Sequence, residues 1–447
     1  VSLPPQLALL LTSAFVLFFL IIEYRRSGIT SVASWILSIW LVYSGSKGIG
    51  AFLNINTTIE SGSLPDRYFL LGIAIIGISI LMKRGFSWRT ALKGNGLFVL
   101  ILAYMLLSVV WAKTPGISFR RWGRELITLI MICLLISEEF PTKTFISAFK
   151  RAIYFYLPFS ILLIKYFGIY GREYNRWTGE LMWVGLASQK NGLAMFCAFS
   201  AIFLIWSLWH DLINWKELSS KLPLFVDFLM LLLAIYLMMG PKRTLTYSVT
   251  SLLTLLTGLI VILAIKQAAR KGIGLYKKLV AIALILILVG TFMPLSGKIP
   301  VKGLAQIFGR GETLTGRTEI WNSLLPYVQK HFILGYGYGG FWTTSLRTSI
   351  ASHAHNGYLD AILNLGIAGL IMLIVFLIKI VGTCARLIDS GSNIFLLFLA
   401  IVFMYLVHNI GEASLGDFQS LPSALIAIIY FLVNEKQGQK TPEVFEN

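Results

Sequence analysis

Long, uninterrupted apolar runs recur along the whole chain, and they restrict its fold more than any other feature of the sequence. A helix needs about 20 mainly apolar residues to cross a bilayer, and thirteen segments approach that length. Of the 447 residues, 57% are hydrophobic and only 13% are charged, about half the charged fraction of a soluble domain. The runs do not alternate between apolar and polar residues, so a transmembrane β-barrel is excluded.

We therefore predict an all-α polytopic membrane protein with about 12–14 transmembrane helices. The candidate spans are 6–24, 32–50, 67–82, 96–112, 119–137, 151–168, 191–209, 224–239, 245–265, 278–294, 358–381, 393–409 and 418–434.

Basic loops orient these spans, because cytoplasmic loops carry an excess of Lys and Arg. The loops at 83–93 and 266–278 are rich in basic residues and should both face the cytoplasm. We therefore divide the chain into ten transmembrane helices, a long outer loop that carries the site motifs, further transmembrane helices and a cytoplasmic tail. These parts span 1–294, 295–357, 358–434 and 435–447.

The formal net charge is +18, from 38 Lys and Arg against 20 Asp and Glu. In the predicted topology, basic residues are almost as numerous outside as inside, although insertion disfavours them in short outer loops. Their retention indicates an anionic ligand at the outer membrane boundary; otherwise the topology is reversed or they only contact lipid phosphates. No basic stretch is interleaved with aromatics on a soluble face, so nucleic acid is not an expected partner. The outer basic residues include Arg120, Arg121, Arg124, Arg172, Arg176, Lys190, Lys242, Arg243, Arg310, Arg317 and Arg347.

The outer loop contains a run with helical periodicity, in which Ile320, Leu324 and Val328 recur on one face. We expect an amphipathic helix along the membrane surface that starts near Thr318, capped by Thr318 or Thr315. Arg317 would stand at its first turn, where backbone N–H groups and a guanidinium together suit a phosphate. The alternative is an ordinary helix with a solvated arginine.

Four glycines and four aromatic residues are interleaved at 335–342. The run lacks the spacing of a nucleotide-binding loop. Aromatic faces suit sugar rings, so Tyr338, Trp342 and, nearby, Trp321 are candidate sugar contacts. An interfacial aromatic belt is the alternative.

His353 and His355 stand just before the span at 358–381. Histidine titrates near neutral pH, so such a residue at the water boundary suits a general base. A pair spaced in this way also suits a metal. The sequence shows no further ligand cluster on the outer side, so we predict neither a metal nor another cofactor.

Several motifs together resemble the O-antigen ligase and O-antigen polymerase superfamily, and most closely its exopolysaccharide-polymerase branch. The resemblance runs along most of the chain. The segments that carry it are Trp35-Ile36-Leu37-Ser38-Ile39-Trp40 with Ser44-Gly45-Ser46, Ser188-Gln189-Lys190-Asn191-Gly192-Leu193, Lys242-Arg243-Thr244, Thr315-Gly316-Arg317-Thr318-Glu319-Ile320-Trp321 and His353-Ala354-His355-Asn356-Gly357-Tyr358-Leu359. Two positions depart from the family's pattern, since Lys242 and Gln189 stand where Ser and Asn are usual.

The resemblance implies an inverting, metal-independent membrane glycosyltransferase of the GT-C type in the bacterial inner membrane. Such enzymes take a glycan from undecaprenyl diphosphate at the periplasmic face. The acceptor would be a saccharide on another lipid-linked unit for a polymerase, or lipid A–core for a ligase. Membrane lipid and other polysaccharide export proteins are the further partners it implies.

The resemblance also assigns site residues. Arg243 and Arg317 match the diphosphate-binding arginines, and His355 matches the histidine that acts on the acceptor hydroxyl. From the charge pattern, Arg120, Arg124, Arg172 and Lys190 are further candidates for the diphosphate. Glu319 or Glu412 is expected to orient His355 or to take the proton, and Asn356 joins the acceptor contacts.

A secondary transporter or flippase has a similar composition and is the competing function. It predicts charged residues at mid-span and paired repeats. We expect clean spans and charges gathered at one surface, which favours the enzyme.

Overall fold

The computed structural model describes most of the chain. The described ranges are 3–55, 62–175, 179–216, 220–241, 248–270, 274–296, 316–388 and 393–438. Apart from two three-residue strands, the regular elements in these ranges are helices, which confirms the all-α prediction. In chain order, they are α1 (Pro5–Ser27), α2 (Val32–Gly45), α3 (Ile49–Phe52), α4 (Leu64–Lys83), α5 (Trp88–Lys93), α6 (Gly96–Leu107, extended by a 3-10 turn Ser108–Trp111), α7 (Pro115–Ile136), α8 (Pro141–Tyr166), α9 (Gly168–Gly171), β1 (Arg172–Tyr174), β2 (Leu181–Trp183), α10 (Lys190–Ile213), α11 (Leu222–Met239), α12 (Val249–Arg270), α13 (Tyr276–Leu295), α14 (Arg317–Lys330), α15 (Thr344–Ser349), α16 (Gly357–Ile388), α17 (Ile394–Gly411) and α18 (Leu421–Gly438).

Each of the thirteen predicted spans coincides with one of these helices. Within the described ranges, nine helices are long and apolar enough to cross a membrane: α1, α4, α8, α10, α11, α12, α13, α16 and α17. The helices α2, α6 and α18 are apolar but shorter. Helix α7 is long, but its first half carries Arg120, Arg121 and Arg124. The structure therefore confirms a multi-pass membrane protein.

Helix α17 lies at the centre of the bundle. It packs against α12, α13, α16 and α18, and nearly all of its residues are buried. In contrast, α1 and α4 bury only a narrow face and leave large apolar side chains exposed. An all-round apolar helix that is half exposed is what a lipid-facing position requires.

Helix α16 is interrupted at Gly366, and the loop after α14 packs against this break. Gly366 has φ 67°, and a Cβ there would lie 2.1 Å from the Ile333 carbonyl oxygen. At Gly335, which has φ 66°, a Cβ would lie 2.5 Å from the Gly366 nitrogen. Two backbones approach this closely only where side chains are absent. The glycines at 335 and 366 therefore fix the outer loop against the bundle.

The start of α14 is as predicted, but its cap is not. The helix begins at Arg317, and its N-cap is Gly316 with φ 84°, without a side-chain cap. Thr318 lies inside the first turn, so the prediction that it caps the helix is wrong, and Thr315 lies outside the described residues. Trp321, Leu324 and Val328 form the buried face, in agreement with the expected amphipathicity.

The expectation of clean spans is also wrong. Arg26 donates to Asp211 at 2.7 Å, and Lys150 donates to Asp227 at 2.7 Å, with the Lys150 and Asp227 side chains 2% and 0% exposed. The predicted span begins at Arg151, whereas α8 begins ten residues earlier, at Pro141. An apolarity criterion does not register that a buried charge such as Lys150 is paired.

This ion-pair cluster lies far from the outer-loop motifs. Asn191, at the start of α10, is in contact with Glu412, whereas Asp211 is twenty residues further along the same helix, about 30 Å at 1.5 Å per residue. It links α1, α8, α10 and α11 at the opposite end of the bundle. Since its charges are paired, it fits a structural role and does not favour the transporter.

Candidate active site

Glu412 is the centre of a charged cluster at one end of the bundle. It caps the C-terminus of α17 and is 5% exposed. Its Oε1 accepts from Arg317 at 3.1 Å and from Asn191 Nδ2 at 2.7 Å. Its Oε2 lies 3.5 Å from His353 Nε2 and 3.5 Å from His355 Nδ1. One carboxylate therefore joins the starts of α10 and α14, the end of α17 and the segment before α16.

The segment that carries the histidines is held by the residue that follows them. The buried Asn356 side chain accepts from the Leu359 N–H at 2.8 Å and so caps α16. It also donates to the Gly290 and Ile410 carbonyls at 3.0 and 3.1 Å. These three bonds tie the segment to α13 and α17 and set the position of His355.

His355 itself has an unusual backbone and an incompletely bonded ring. Its φ of 50° lies in the left-handed region, which non-glycine residues seldom occupy and which clusters at functional sites. The buried Nδ1 has no hydrogen-bond partner at normal distance, and its approach to Glu412 is at the long limit. Such contacts are often long in a substrate-free site and tighten when substrate binds.

Arg317 enters the cluster from the first turn of α14. Its side chain is 17% exposed, and one terminal nitrogen is used by Glu412. Among the described residues, no other hydrogen bond of this guanidinium is found. Its remaining N–H groups, beside the orphan N–H groups of the helix start, are therefore available to an anion.

Two pKa shifts follow from this arrangement. Burial raises the pKa of Glu412, but the contact with His355 and the charge of Arg317 outweigh burial and lower it to about 2. Burial, the His355 ring and the nearby arginines lower the pKa of His353 to about 4, against the attraction of Glu412. At neutral pH the cluster thus contains a carboxylate and a neutral His353.

The ligand atoms of His353, His355 and Glu412 all lie within 4.8 Å of one another and could hold a metal ion. Two histidines and a glutamate are a known catalytic zinc set. Glu412 is therefore a further possible ligand near the histidines, contrary to the prediction from the sequence. Arg317 places a positive charge on the same carboxylate, which disfavours a dication. That the protein needs no metal stays a prediction.

Other predicted site residues lie apart from this cluster or have other partners. Glu319 is exposed on α14 and, among the described residues, has no ion pair to its carboxylate. Arg172 begins β1 and donates to the Ile164 and Lys165 carbonyls. Lys190 starts α10, next to Asn191 of the cluster.

The arginines of α7 lie near the outer loop and the turn after Glu412, and Arg121 donates to the Gly339 carbonyl. Arg120 is exposed. The positive charges of Arg124 and Arg121 favour the ionised form of Asp417, five residues after Glu412. Arg243, with Lys242 and Thr244, lies outside the described residues.

All four predicted sugar contacts are buried inside the protein. Trp321 is 1% exposed and donates to the Ala354 carbonyl, and Tyr338 donates to Glu125. Asn356, as described above, caps α16. The side chains of Trp321, Tyr338 and Asn356 are bonded within the protein and hold the outer loop in place. Trp342 is also buried, but it lines a cavity beside His353.

The sequence analysis did not single out Asn191, although its motif was noted. Asn191 follows the Lys190 of that motif, and only the fold brings it 2.7 Å from a carboxylate more than two hundred residues away. Asp417 was not considered, since the acidic residues named on the outer side were Glu319 and Glu412. An acidic residue in an outer turn next to Glu412 was the available signal.

The fold and the site together define a polytopic α-helical membrane protein with a histidine, arginine and glutamate cluster at one end of its bundle. Residues 228–374 match the family model described as O-antigen ligase. The chain is 22% identical over 335 residues to the exopolysaccharide production protein ExoQ of Rhizobium meliloti (strain 1021), covering 69% of this chain and 70% of that protein.

These similarities confirm the resemblance predicted from the motifs. They support an O-antigen ligase/polymerase-type membrane enzyme. The segment that matches the family model includes Arg317, His353 and His355, and it ends before Glu412.

Proposed function

We propose that the protein is an inverting, metal-independent glycosyltransferase in the bacterial inner membrane. It transfers a glycan from undecaprenyl diphosphate to a sugar hydroxyl at the periplasmic face and polymerises O-antigen or exopolysaccharide repeat units. The observation that carries this proposal is the Glu412 cluster, in which an arginine with available donors and a histidine meet on one carboxylate.

The leaving group sets the first requirement of the reaction. When the bond between the sugar C1 and the phosphate oxygen breaks, negative charge grows on the diphosphate. A guanidinium fixed in a partly buried site stabilises that charge. Arg317 has this role, because Glu412 and the start of α14 hold it in place while part of its guanidinium stays available. Arg243 is the second arginine of the proposal, from the family resemblance.

The acceptor sets the second requirement, since its hydroxyl loses a proton as it attacks C1. His355 accepts this proton, and Glu412 orients the ring and stabilises the imidazolium that forms. The neutral His353, 4.0 Å from the His355 ring centroid, adds no competing charge. A single displacement, without a glycosyl-enzyme intermediate, inverts the configuration at C1.

The alternative is an O-antigen ligase that transfers the glycan to lipid A–core, and the description of the matching family model favours it. The relative from Rhizobium meliloti is described as an exopolysaccharide production protein, which favours the polymerase. A transporter of lipid-linked glycans would leave the bond to the diphosphate intact.

The deciding experiment supplies purified protein in lipid nanodiscs with lipid-linked repeat units, with and without lipid A–core. Longer lipid-linked chains without lipid A–core support the polymerase. Glycan on lipid A–core alone supports the ligase. Unchanged lipid-linked donor in both reactions, from folded protein, overturns the proposed enzyme.

A further inference from the structure

A polar cavity of about 390 Å³ opens beside His353. This volume is in the range of about 300–1,000 Å³ that is usual for small-molecule sites. Its walls come from the residues before α10, the loop around α15, the start of α16 and the turn after Glu412. Lining residues that matter here are Gln189, Trp342, His353, Asp360 and Asp417.

Part of the lining is fixed by bonds within the wall. Asp360 accepts from the Trp342 indole at 2.6 Å and from the Ala354 N–H at 3.4 Å. Arg347 donates to the Ser352 carbonyl at 2.7 Å and to the Trp342 carbonyl at 3.4 Å. Arg347, the one arginine among the lining residues, therefore uses two of its N–H groups to bond backbone carbonyls. These bonds keep the shape of the wall when the cavity is filled.

Other polar groups in the lining are exposed to the cavity. Asp417, Ser188 and Ser352 are exposed, although they line a concave surface. The half-buried Gln189 amide has no hydrogen bond to the described part of the chain. A carboxylate, two hydroxyls and an amide offer both donors and acceptors. This set suits the hydroxyls of a sugar.

We propose that this cavity is the acceptor subsite, which binds a sugar through its hydroxyls, with Gln189 and Asp417 as hydrogen-bond partners. The inference rests on the proposed function. It divides the site in two: the diphosphate of the donor lies on the Arg317 side of the cluster, and the acceptor approaches from the His353 side. The accepting hydroxyl then reaches His355 from the cavity.

Two substitutions probe the cavity with little effect on the fold. Gln189→Ala removes an amide that no described residue uses. Asp417→Asn removes the charge but keeps an oxygen that can accept hydrogen bonds from the Gln419 and Ser420 backbone N–H groups, as the carboxylate does. Gln329→Ala is the matched control, since Gln329 is exposed on α14 and does not line the cavity.

The probe is the phosphate-free oligosaccharide that mild acid releases from the host's own lipid-linked repeat units. With the full chain in nanodiscs, its binding is followed by ligand-observed NMR, and the acceptor KM is measured separately from kcat. A lost hydrogen bond to a sugar hydroxyl should raise the acceptor KM and weaken oligosaccharide binding by roughly 3- to 10-fold for Gln189→Ala, and by roughly 10-fold or more for Asp417→Asn. Binding of undecaprenyl diphosphate should stay at the wild-type value in both.

The subsite is overturned if both variants bind the oligosaccharide like the Gln329→Ala control. It is also overturned if they lose undecaprenyl diphosphate binding to the same extent. Oligosaccharide binding that depends on Gln189 and Asp417, without glycan transfer by the wild type, would retain the cavity as a sugar site and refute the proposed function instead.

Discussion

Replacing Glu412 by glutamine tests whether one carboxylate organises the site. Glu412→Gln keeps the shape and an acceptor oxygen for Asn191, but it removes the negative charge that faces Arg317 and His355. Removing one partner of a buried ion pair costs roughly 3–5 kcal/mol. Because an acceptor remains and Arg317 is 17% exposed, we expect a smaller loss of unfolding free energy, roughly 1–3 kcal/mol.

The pH dependence of this loss has a defined sign. The pKa of Glu412 is about 2 in the folded protein against 4.5 for an ordinary glutamate, so its charge stabilises the fold above pH 4.5. That contribution disappears as the pH falls toward 2. The difference in unfolding free energy between the wild type and Glu412→Gln should therefore be constant above about pH 5 and shrink below pH 4.5.

The same substitution should slow glycan transfer by roughly 10²-fold, the lower end of what general-base catalysis contributes, because His355 remains but is no longer oriented. Single-turnover rates and denaturant unfolding in the same detergent give both readouts. Glu319→Gln is the matched control on the exposed face of α14. A wild-type rate and wild-type stability in Glu412→Gln, or a larger defect in Glu319→Gln, would refute the role given to Glu412.

Three further expectations concern the charge, the metal and the topology. Arg317→Lys keeps the charge but loses the planar fork, so the transfer rate should fall by roughly 10²–10³; a near-normal rate would mean that Arg317 serves only the fold. Transfer should survive EDTA at the wild-type rate, and loss that Mg²⁺, Mn²⁺ or Zn²⁺ restores would make His353, His355 and Glu412 a metal site. Ser352→Cys should react with a membrane-impermeant maleimide in cells whose inner membrane is intact, since Ser352 is exposed and lies on the side proposed to face the periplasm; labelling only after lysis would contradict that orientation.

The sequence was sufficient for the spans because apolarity and length are local properties. All thirteen predicted segments coincide with helices, and Arg317 lies at the start of α14 as expected. The errors concern pairing, which is not local. Lys150 lies inside α8 because Asp227 of α11 neutralises it, and no hydropathy window contains both residues.

The same reason explains what was predicted of the site. His355 and Arg317 were predicted from motifs, whereas only the fold shows which of Glu319 and Glu412 lies beside them. Glu319 is only two residues from Arg317 along the chain, yet Glu412, ninety-five residues away, is the carboxylate that Arg317 contacts. The aromatic residues around 338 were expected to contact a sugar and are buried instead. The reason is that Gly335 and Gly366 allow the outer loop to pack closely against the bundle.

The most direct test of the account compares donor binding and single-turnover transfer in His355→Ala and Arg317→Ala, after both variants are shown to fold. We predict that His355→Ala binds undecaprenyl diphosphate like the wild type but transfers glycan roughly 10²–10⁴ times more slowly, as expected for the loss of a general base. Arg317→Ala should bind the diphosphate more weakly. Transfer at the wild-type rate by His355→Ala, or unchanged donor binding and transfer by Arg317→Ala, would contradict the division of roles proposed for this site.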